Sequence, residues 1–274
     1  MRKPIVVGVD GSNVARTAIA WAADLARVSD TPLWLLHAVP PGGVTGASDG
    51  WLHEARAIVA GVGVDDVQCR VVPGTPVEVL LAAACDAATL VVGSRGSGAA
   101  SGLVAGFTAL RLVRTASCPV AVIPDRGARP ARSSRGPVVV GFVAGPDGRA
   151  ALELAAELAA AWGARLCVVH ALRGRGRNSR GIESRVRGLL EDQLADLTTR
   201  FPALLVERRI AVDSPLRSLL AEADTARAVV VGQRAHTAPN GVLGSTSRSV
   251  IEFGSCPVIV APLMAAAPGP FVRS

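Results

Sequence analysis

The sequence predicts an α/β fold made twice, as two tandem, doubly wound, five-stranded parallel sheets. The first observation behind this is an internal repeat. "IVVGVDGSNVARTAIAWAADLA" near the start matches "VVVGFVAGPDGRAALELAAELA" from Val138, at an offset of 133 residues that also aligns "LWLLHAV" with "LCVVHAL". The offset becomes 139 where "TPVEVLLAAACDAATLVVGSR" meets "SPLRSLLAEADTARAVVVGQR", and 138 where "SCPVAVIP" meets "SCPVIVAP". Such small shifts place insertions in loops and leave the order of elements unchanged. The second observation is that short β-branched runs alternate with longer helical stretches, the signature of βαβ units. The third is that the Val/Ile/Leu runs are nearly continuous, which suits strands covered on both faces of a parallel sheet.

In the first copy the elements follow in order. "IVVGV" at 5–9 is a strand, and the alanine-rich "VARTAIAWAADLARV" at 14–28 is the helix that crosses from it to the strand "LWLLHAV" at 33–39. A helix at 49–60 leads to the strand "VQCRVV" at 67–72, and a helix at 76–86 leads to the short strand "LVV" at 90–92. A glycine-rich connection, a helix at 108–115 and the strand "VAVI" at 120–123 complete the copy. The first domain is placed at 1–125 and the second at 137–264. Between them 126–136, rich in Arg, Pro and Ser, reads as a linker, and 265–274 as a frayed tail.

Composition narrows the function classes. The 274 residues are 50% hydrophobic with a net charge of +7, and every basic residue except Lys3 is an arginine. With 3% aromatic residues and no tyrosine, the positive charge lacks the aromatic interleaving of a nucleic-acid surface, and nucleic acid is not an expected partner. The five cysteines, Cys69, Cys85, Cys118, Cys167 and Cys256, contain no C-x-x-C pair and read as reduced, packed thiols of a cytoplasmic protein. Four scattered histidines do not suggest a zinc site. The N-terminus turns directly into a strand and no apolar run reaches the roughly 18 residues of a membrane span, so no membrane association is expected.

Several catalytic motifs are excluded. A Walker A loop needs Gly-Lys-Ser/Thr, and Lys3 is the only lysine. The text after the first strand is "GVDGSNVA", which is neither G-x-G-x-x-G nor the S-G-G-x-D-S of ATP-pyrophosphatase-type enzymes. "GASDG" at 46–50 matches G-x-S-x-G in letters, but a loose "PPGGVT" separates it from the preceding strand, where a nucleophile elbow needs a tight strand-to-helix turn.

"VVGSRGSGAASGLVAGFTALRLV", Val91 to Val113, is more informative. Gly93 and Gly96 allow backbone conformations closed to other residues, and Gly106 precedes a helix whose first amides can bind an anion. The alternative is a compact crossover without a ligand.

Taken in order, "IVVGVDGS", "LLHA", "VVGSRGSG" ending in Gly106, and "SCPVAVIP" resemble the universal stress protein family, and the resemblance covers each copy almost end to end. It implies a Rossmann-like five-stranded fold that often pairs through its last strand, either between the two copies as an internal pseudo-dimer or between chains as a homodimer. Some members bind ATP with an acidic residue after the first strand, a G-2x-G-9x-G-(S/T) loop, and apolar base contacts from the ends of the second and fourth strands. Others lack the motif and bind no nucleotide. In the first copy Asp10 matches the acidic position, Ala38 and Val92 the base contacts, and Gly93, Gly96 and Gly106 the loop. Phe107 departs from the pattern at the Ser/Thr position, with Thr108 as the nearest substitute hydroxyl.

The second copy departs differently. It keeps "GSTS" at Gly244 to Ser247, with Ser245 at the hydroxyl position, but Val143 replaces the acidic residue, Ala235 replaces the second glycine, and the loop is one residue shorter. It is expected to bind nucleotide poorly or not at all, with two explanations open: the copy became a structural partner, a built-in dimer mate, or both sites were lost independently. His37 and His170, paired by the repeat, are expected to hydrogen-bond inside the fold, and Trp21, Trp34, Trp51 and Trp162 to pack. The "RGRGRNSRG" segment from Arg173 reads as a solvated loop.

The resulting expectation is a cytoplasmic stress-response regulator that binds ATP, accompanied by Mg²⁺, through its N-terminal domain. It works by binding, with at most weak hydrolysis, and acts on an unidentified protein partner. The rival is a nucleotide-free dimerisation or interaction module.

Overall fold

The computed structural model describes residues 2–39, 49–96, 105–125, 135–171, 179–233 and 243–262. The chain divides into two compact units, Met1–Gly127 with Pro270–Ser274, and Ala128–Gly269.

In the first unit β1 (Ile5–Gly8), α1 (Asn13–Ser29), β2 (Leu33–Val39), α2 (Asp49–Val62), β3 (Val67–Pro73), α3 (Pro76–Ala84), β4 (Thr89–Gly93), α4 (Phe107–Thr115) and β5 (Val120–Ile123) alternate along the chain. The strands lie in the order β3-β2-β1-β4-β5, each pairing parallel to its neighbour. The chain therefore runs outward from β1 through β2 to β3, then returns to the other side of β1 with β4. That reversal makes a crevice at the carboxyl ends of β1 and β4, where such sheets bind ligands.

The central strands are buried on both faces, with Ile5, Val6, Val7, Leu33, Leu35, Leu90 and Val91 fully enclosed. This is the packing that the uninterrupted apolar runs imply. The edge strand β3 differs: Gln68, Arg70 and Val71 are exposed, and the Arg70 guanidinium lies 3.8 Å from the ring centroid of Trp34 on β2. Arginine thus covers an aromatic face that no further strand shields.

Local chemistry sets the helix ends. Ser12 caps α1 by accepting the Ala15 N–H at 3.2 Å, and Asp30 ends it in the left-handed conformation at φ 53°. Thr75 and Glu78 form a reciprocal capping box at α3, with Pro76 at its first turn.

The second unit repeats the plan with β6 (Val138–Gly141), α5 (Pro146–Trp162), β7 (Leu166–Ala171), α6 (Ser179–Arg200), β8 (Val206–Ala211), α7 (Pro215–Ala223), β9 (Ala228–Gly232), α8 (Ser245–Phe253) and β10 (Val258–Ala261). Its strand order is β8-β7-β6-β9-β10, again parallel. Gly136, at the end of the expected linker, is buried against the Thr225 carbonyl of this unit. Arg227 lies over the Trp162 ring at 4.4 Å.

All five cysteines are free thiols. Cys118, Cys167 and Cys256 are buried as expected, Cys69 is half-buried, and Cys85 is exposed, so the expectation of uniformly packed thiols fails at Cys85. Burial pushes the Cys118 thiol up to about 12 and that of Cys167 up to about 11. Among the described residues no helix is long and apolar enough to cross a membrane.

Candidate functional site

At the end of β1 the Val9 N–H donates to the Leu36 carbonyl at 2.9 Å, and the Val9 carbonyl accepts from His37 Nδ1 at 2.7 Å. The Nδ1 proton is thereby assigned by its acceptor. His170 repeats this bond in the second unit, onto the Phe142 carbonyl at 3.0 Å, so both histidines tie neighbouring strand ends together inside the fold. The His37 ring also meets Trp51 of α2, centroids 4.6 Å apart at 63°.

The chain then turns at Gly11, whose φ of 79° disfavours any side chain. A β-carbon there would also lie 3.3 Å from Trp51 Cδ1. The turn brings Ser12 back onto Asp10: Oδ1 accepts the Ser12 N–H at 3.1 Å and its hydroxyl at 2.7 Å. Asp10 is therefore a half-buried carboxylate oriented by the residue that caps α1.

Opposite it runs the strip from Gly93 to Gly96. A β-carbon at 93 would lie 2.8 Å from Val14 Cγ1, and one at 96 would lie 2.6 Å from Asp10 Oδ2. A β-carbon at 106 would lie 3.3 Å from the Ser94 carbonyl. None of these three glycines has a positive φ; Gly106 sits at φ −74°, ψ 156°. The expectation that Gly93 and Gly96 serve unusual backbone angles is therefore corrected: they are needed for close approach, because α1 and the Asp10 carboxylate press on them.

The Ser94 N–H donates to the Ile123 carbonyl at 2.7 Å, and the Ser94 carbonyl accepts the Gly106 N–H at 2.6 Å. This bond closes the crossover loop, of which 97–104 lie outside the described residues, and sets α4 beside the strip. Gly106 caps α4 with no side-chain hydrogen bond. The start of α4 presents backbone amides and the positive end of the helix dipole.

Phe107 is 73% exposed, and its ring has Arg111, one turn on, 5.9 Å away. Thr108 is half-buried, and the next residue, Ala109, packs into the core. On the other side of the strip Val92 is buried, with Cγ1 3.1 Å from where a Gly8 β-carbon would stand, while Ala38 is half-buried at the end of β2. The fold thus carries Asp10, Ala38, Val92, Gly93, Gly96, Gly106, Phe107 and Thr108 to the carboxyl ends of β1, β2 and β4, with Asp10 and Gly96 in direct apposition. Sequence reading missed Arg95 and Asp125, whose Nη1 and Oδ2 lie 3.6 Å apart, and the placement of Trp51 on the Gly11 turn. The only sequence signal for Arg95 was its place inside the glycine motif.

The second unit offers a different surface. Val143, 43% exposed, follows β6 by two residues and brings no carboxylate; Gly145 turns at φ 118°, and Gly148 packs so tightly that a β-carbon would collide with the Val143 carbonyl. Gly244 again closes the crossover, its N–H donating to the Gln233 carbonyl at 3.1 Å. Of the "GSTS" hydroxyls, that of Ser247 is buried and donates to the Gly232 carbonyl at 2.8 Å, so it holds α8 to β9 and does not line the helix start. Ser245 is exposed. Ala235, the nucleophile-like "GAS" of "GASDG", and most of the "RGRGRNSRG" segment lie outside the described residues.

A cleft of about 340 Å³ lies between α5 and α6, over Leu152 and Leu197, with Arg149, Glu153, Gln193 and Arg200 at its rim. Both signs of charge line it, and Arg149 is already paired with Glu153 and Asp196, so the cleft has no net preference for an anion. Among the described residues no group of three His, Cys, Asp or Glu side chains could hold a metal ion.

The sequence profile of the universal stress protein family matches residues 1–124 and again 135–262. A universal stress protein of Mycobacterium bovis (strain ATCC BAA-935 / AF2122/97) is 33% identical over 301 residues of alignment, covering 94% of each chain. Another, from Mycobacterium tuberculosis (strain ATCC 25618 / H37Rv), is 32% identical over 287 residues, covering 94% of this chain and 95% of its own. Among solved structures, a universal stress protein from Archaeoglobus fulgidus DSM 4304 superimposes with a TM-score of 0.75 at 18% identity, over 96% of this chain and 100% of the other. A universal stress protein from Pseudomonas aeruginosa UCBPP-PA14 gives 0.64 at 20% identity over 95% and 93%. These two likenesses bear on the fold, and the profile and curated relatives bear on kinship. The chain belongs to the universal stress protein family, as a tandem of two of its domains.

Proposed function

We propose that the first domain binds an adenine nucleotide, ATP with its accompanying Mg²⁺, and that binding is its function in a cytoplasmic stress-response regulator. The observation that carries this reading is the apposition of Asp10 and Gly96, where a β-carbon would lie 2.6 Å from the carboxylate. Only a glycine lets the phosphate-side strip pass so close to an oriented carboxylate. Asp10 accepts hydrogen bonds from the nucleoside hydroxyls, Ala38 and Val92 contact the base, and the amides following Gly106 face the phosphates. Phe107 supplies an amide but no hydroxyl, and its ring, 73% exposed, leaves the helix start accessible.

Asp10 Oδ1 is already committed to Ser12, which favours an anchoring role over that of a general base. Nucleotide binding then changes pairing between copies of the chain or an interaction with a protein partner. The second domain, without a carboxylate at Val143, serves as a structural partner.

Calorimetric titration of nucleotide-stripped protein with Mg-ATP tests the reading, alongside Asp10→Ala. The expected result is a dissociation constant on the order of micromolar, about −8 kcal/mol, at one site per chain and lost in the variant. No heat and no thermal shift at millimolar ATP would overturn it. The nucleotide-free reading draws on Phe107 itself: a large apolar ring exposed at the site rim is the kind of group a protein partner covers.

A further inference from the structure

Resting on that reading, we infer that Arg95 is a phosphate-binding residue of the first domain and that Asp125 holds it in reserve, competing with the ligand's phosphates. The register of β4 against β5 pairs Gly93 with Ile123, which brings Ser94 and Arg95 alongside Pro124 and Asp125. Ser94 locks this arrangement twice, through its N–H to the Ile123 carbonyl at 2.7 Å and through its hydroxyl, which accepts the Asp125 N–H at 3.0 Å. The Arg95 backbone stands between the two ends of the site. Its neighbour Gly96 touches Asp10, while its own Cα lies 3.8 Å from where a Gly106 β-carbon would be, at the start of α4.

The guanidinium is poorly used where it stands. Its Nη1 is 3.6 Å from Asp125 Oδ2, beyond the roughly 2.7–2.9 Å of a charge-assisted hydrogen bond. Its Nε–H is buried and has no acceptor among the described residues, although the side chain as a whole is 41% exposed. A buried donor without an acceptor is disfavoured, and in a native protein it points to a missing partner. A phosphate near the uncapped start of α4 supplies that partner, since guanidinium N–H groups match phosphate oxygens in pairs. Asp125, one negative charge beside the same guanidinium, opposes a polyanion there and so sets a threshold for binding. The second copy has Leu263 at the position matching Asp125, so this acidic guard belongs to the first copy alone.

The test is calorimetry on the full chain with three probes, Mg-ATP, adenosine and tripolyphosphate, for wild type, Arg95→Gln and Asp125→Asn. Arg95→Gln is expected to weaken ATP and tripolyphosphate about ten- to a hundredfold, the range of a lost charged hydrogen bond, while adenosine binding changes less than about twofold. Unchanged adenosine affinity also shows that the variant is folded. Asp125→Asn is expected to strengthen ATP and tripolyphosphate severalfold, and the gain should shrink as salt rises, because charge repulsion is screened. ATP binding to wild type and Arg95→Gln with equal affinity would overturn the inference and leave the nucleotide reading standing. Weaker ATP binding by Asp125→Asn would overturn the competing role of Asp125. Tripolyphosphate binding that depends on Arg95, without any adenosine binding, would support the inference and overturn the adenine reading. No binding of any probe at millimolar concentration would overturn both.

Discussion

Gly96 and Asp10 meet across the crevice so closely that any side chain at 96 would place its first carbon 2.6 Å from Asp10 Oδ2. Asp10 cannot simply swing away, because its other oxygen is tied to Ser12 at 2.7 and 3.1 Å. The glycine motif and the acidic residue are thus one structural unit.

Gly96→Ala should therefore damage the site and spare the fold. Gly96 is exposed, so unfolding free energy should stay within about 1 kcal/mol of wild type. ATP affinity should fall by about tenfold or more, roughly 1.4 kcal/mol, as the carboxylate is displaced. Calorimetry and urea denaturation, run on the same preparation, check both halves.

Ser12→Ala should affect both quantities. The hydroxyl accepts from the Ala15 N–H and donates to Asp10, so its loss removes the cap of α1 and loosens the carboxylate. Stability should drop by about 1 kcal/mol, the usual effect of a lost N-cap. If nucleotide affinity stays at the wild-type value, the orienting role of Ser12 is wrong.

Phe107→Ser should tighten ATP binding. The ring is 73% exposed and contributes little packing, so stability should change by no more than about 0.5 kcal/mol. A restored hydroxyl donor to a charged oxygen is worth about 1.5–3 kcal/mol, or ten- to a hundredfold in affinity. Weaker binding after this change would mean that the ring itself contacts the ligand.

Thiol chemistry reports burial. In the native protein Cys85 should react readily with a thiol reagent near pH 8, while Cys118 and Cys167 should react only after unfolding. The raised pKa values also predict a pH dependence. The unfolded thiols lose their protons near 9.0, whereas native Cys118 retains its proton to about 12. Between these values the unfolded state binds fewer protons, so stability falls as pH rises, by up to about 1.4 kcal/mol per pH unit for one such group. The urea midpoint should drop between pH 8.5 and about 10.5, and Cys118→Ala should flatten the decline.

The sequence by itself determined the two-copy α/β plan, the order of elements and the place of each glycine. Those are local or repeated properties: β-branched runs such as "IVVG", the two-fold repeat, and a motif whose spacing is read along the chain. Only the tertiary structure decided what the glycines are for. For Gly93 and Gly96 the constraint is the approach of Val14 and Asp10, residues more than seventy positions away in the chain, and not a positive φ. It likewise turned Ser247 inward, left Phe107 exposed, and placed Asp125 beside Arg95. Each of these follows from strand register and helix packing, which join distant segments through the burial of the whole sheet, and such contacts leave no trace in local residue spacing.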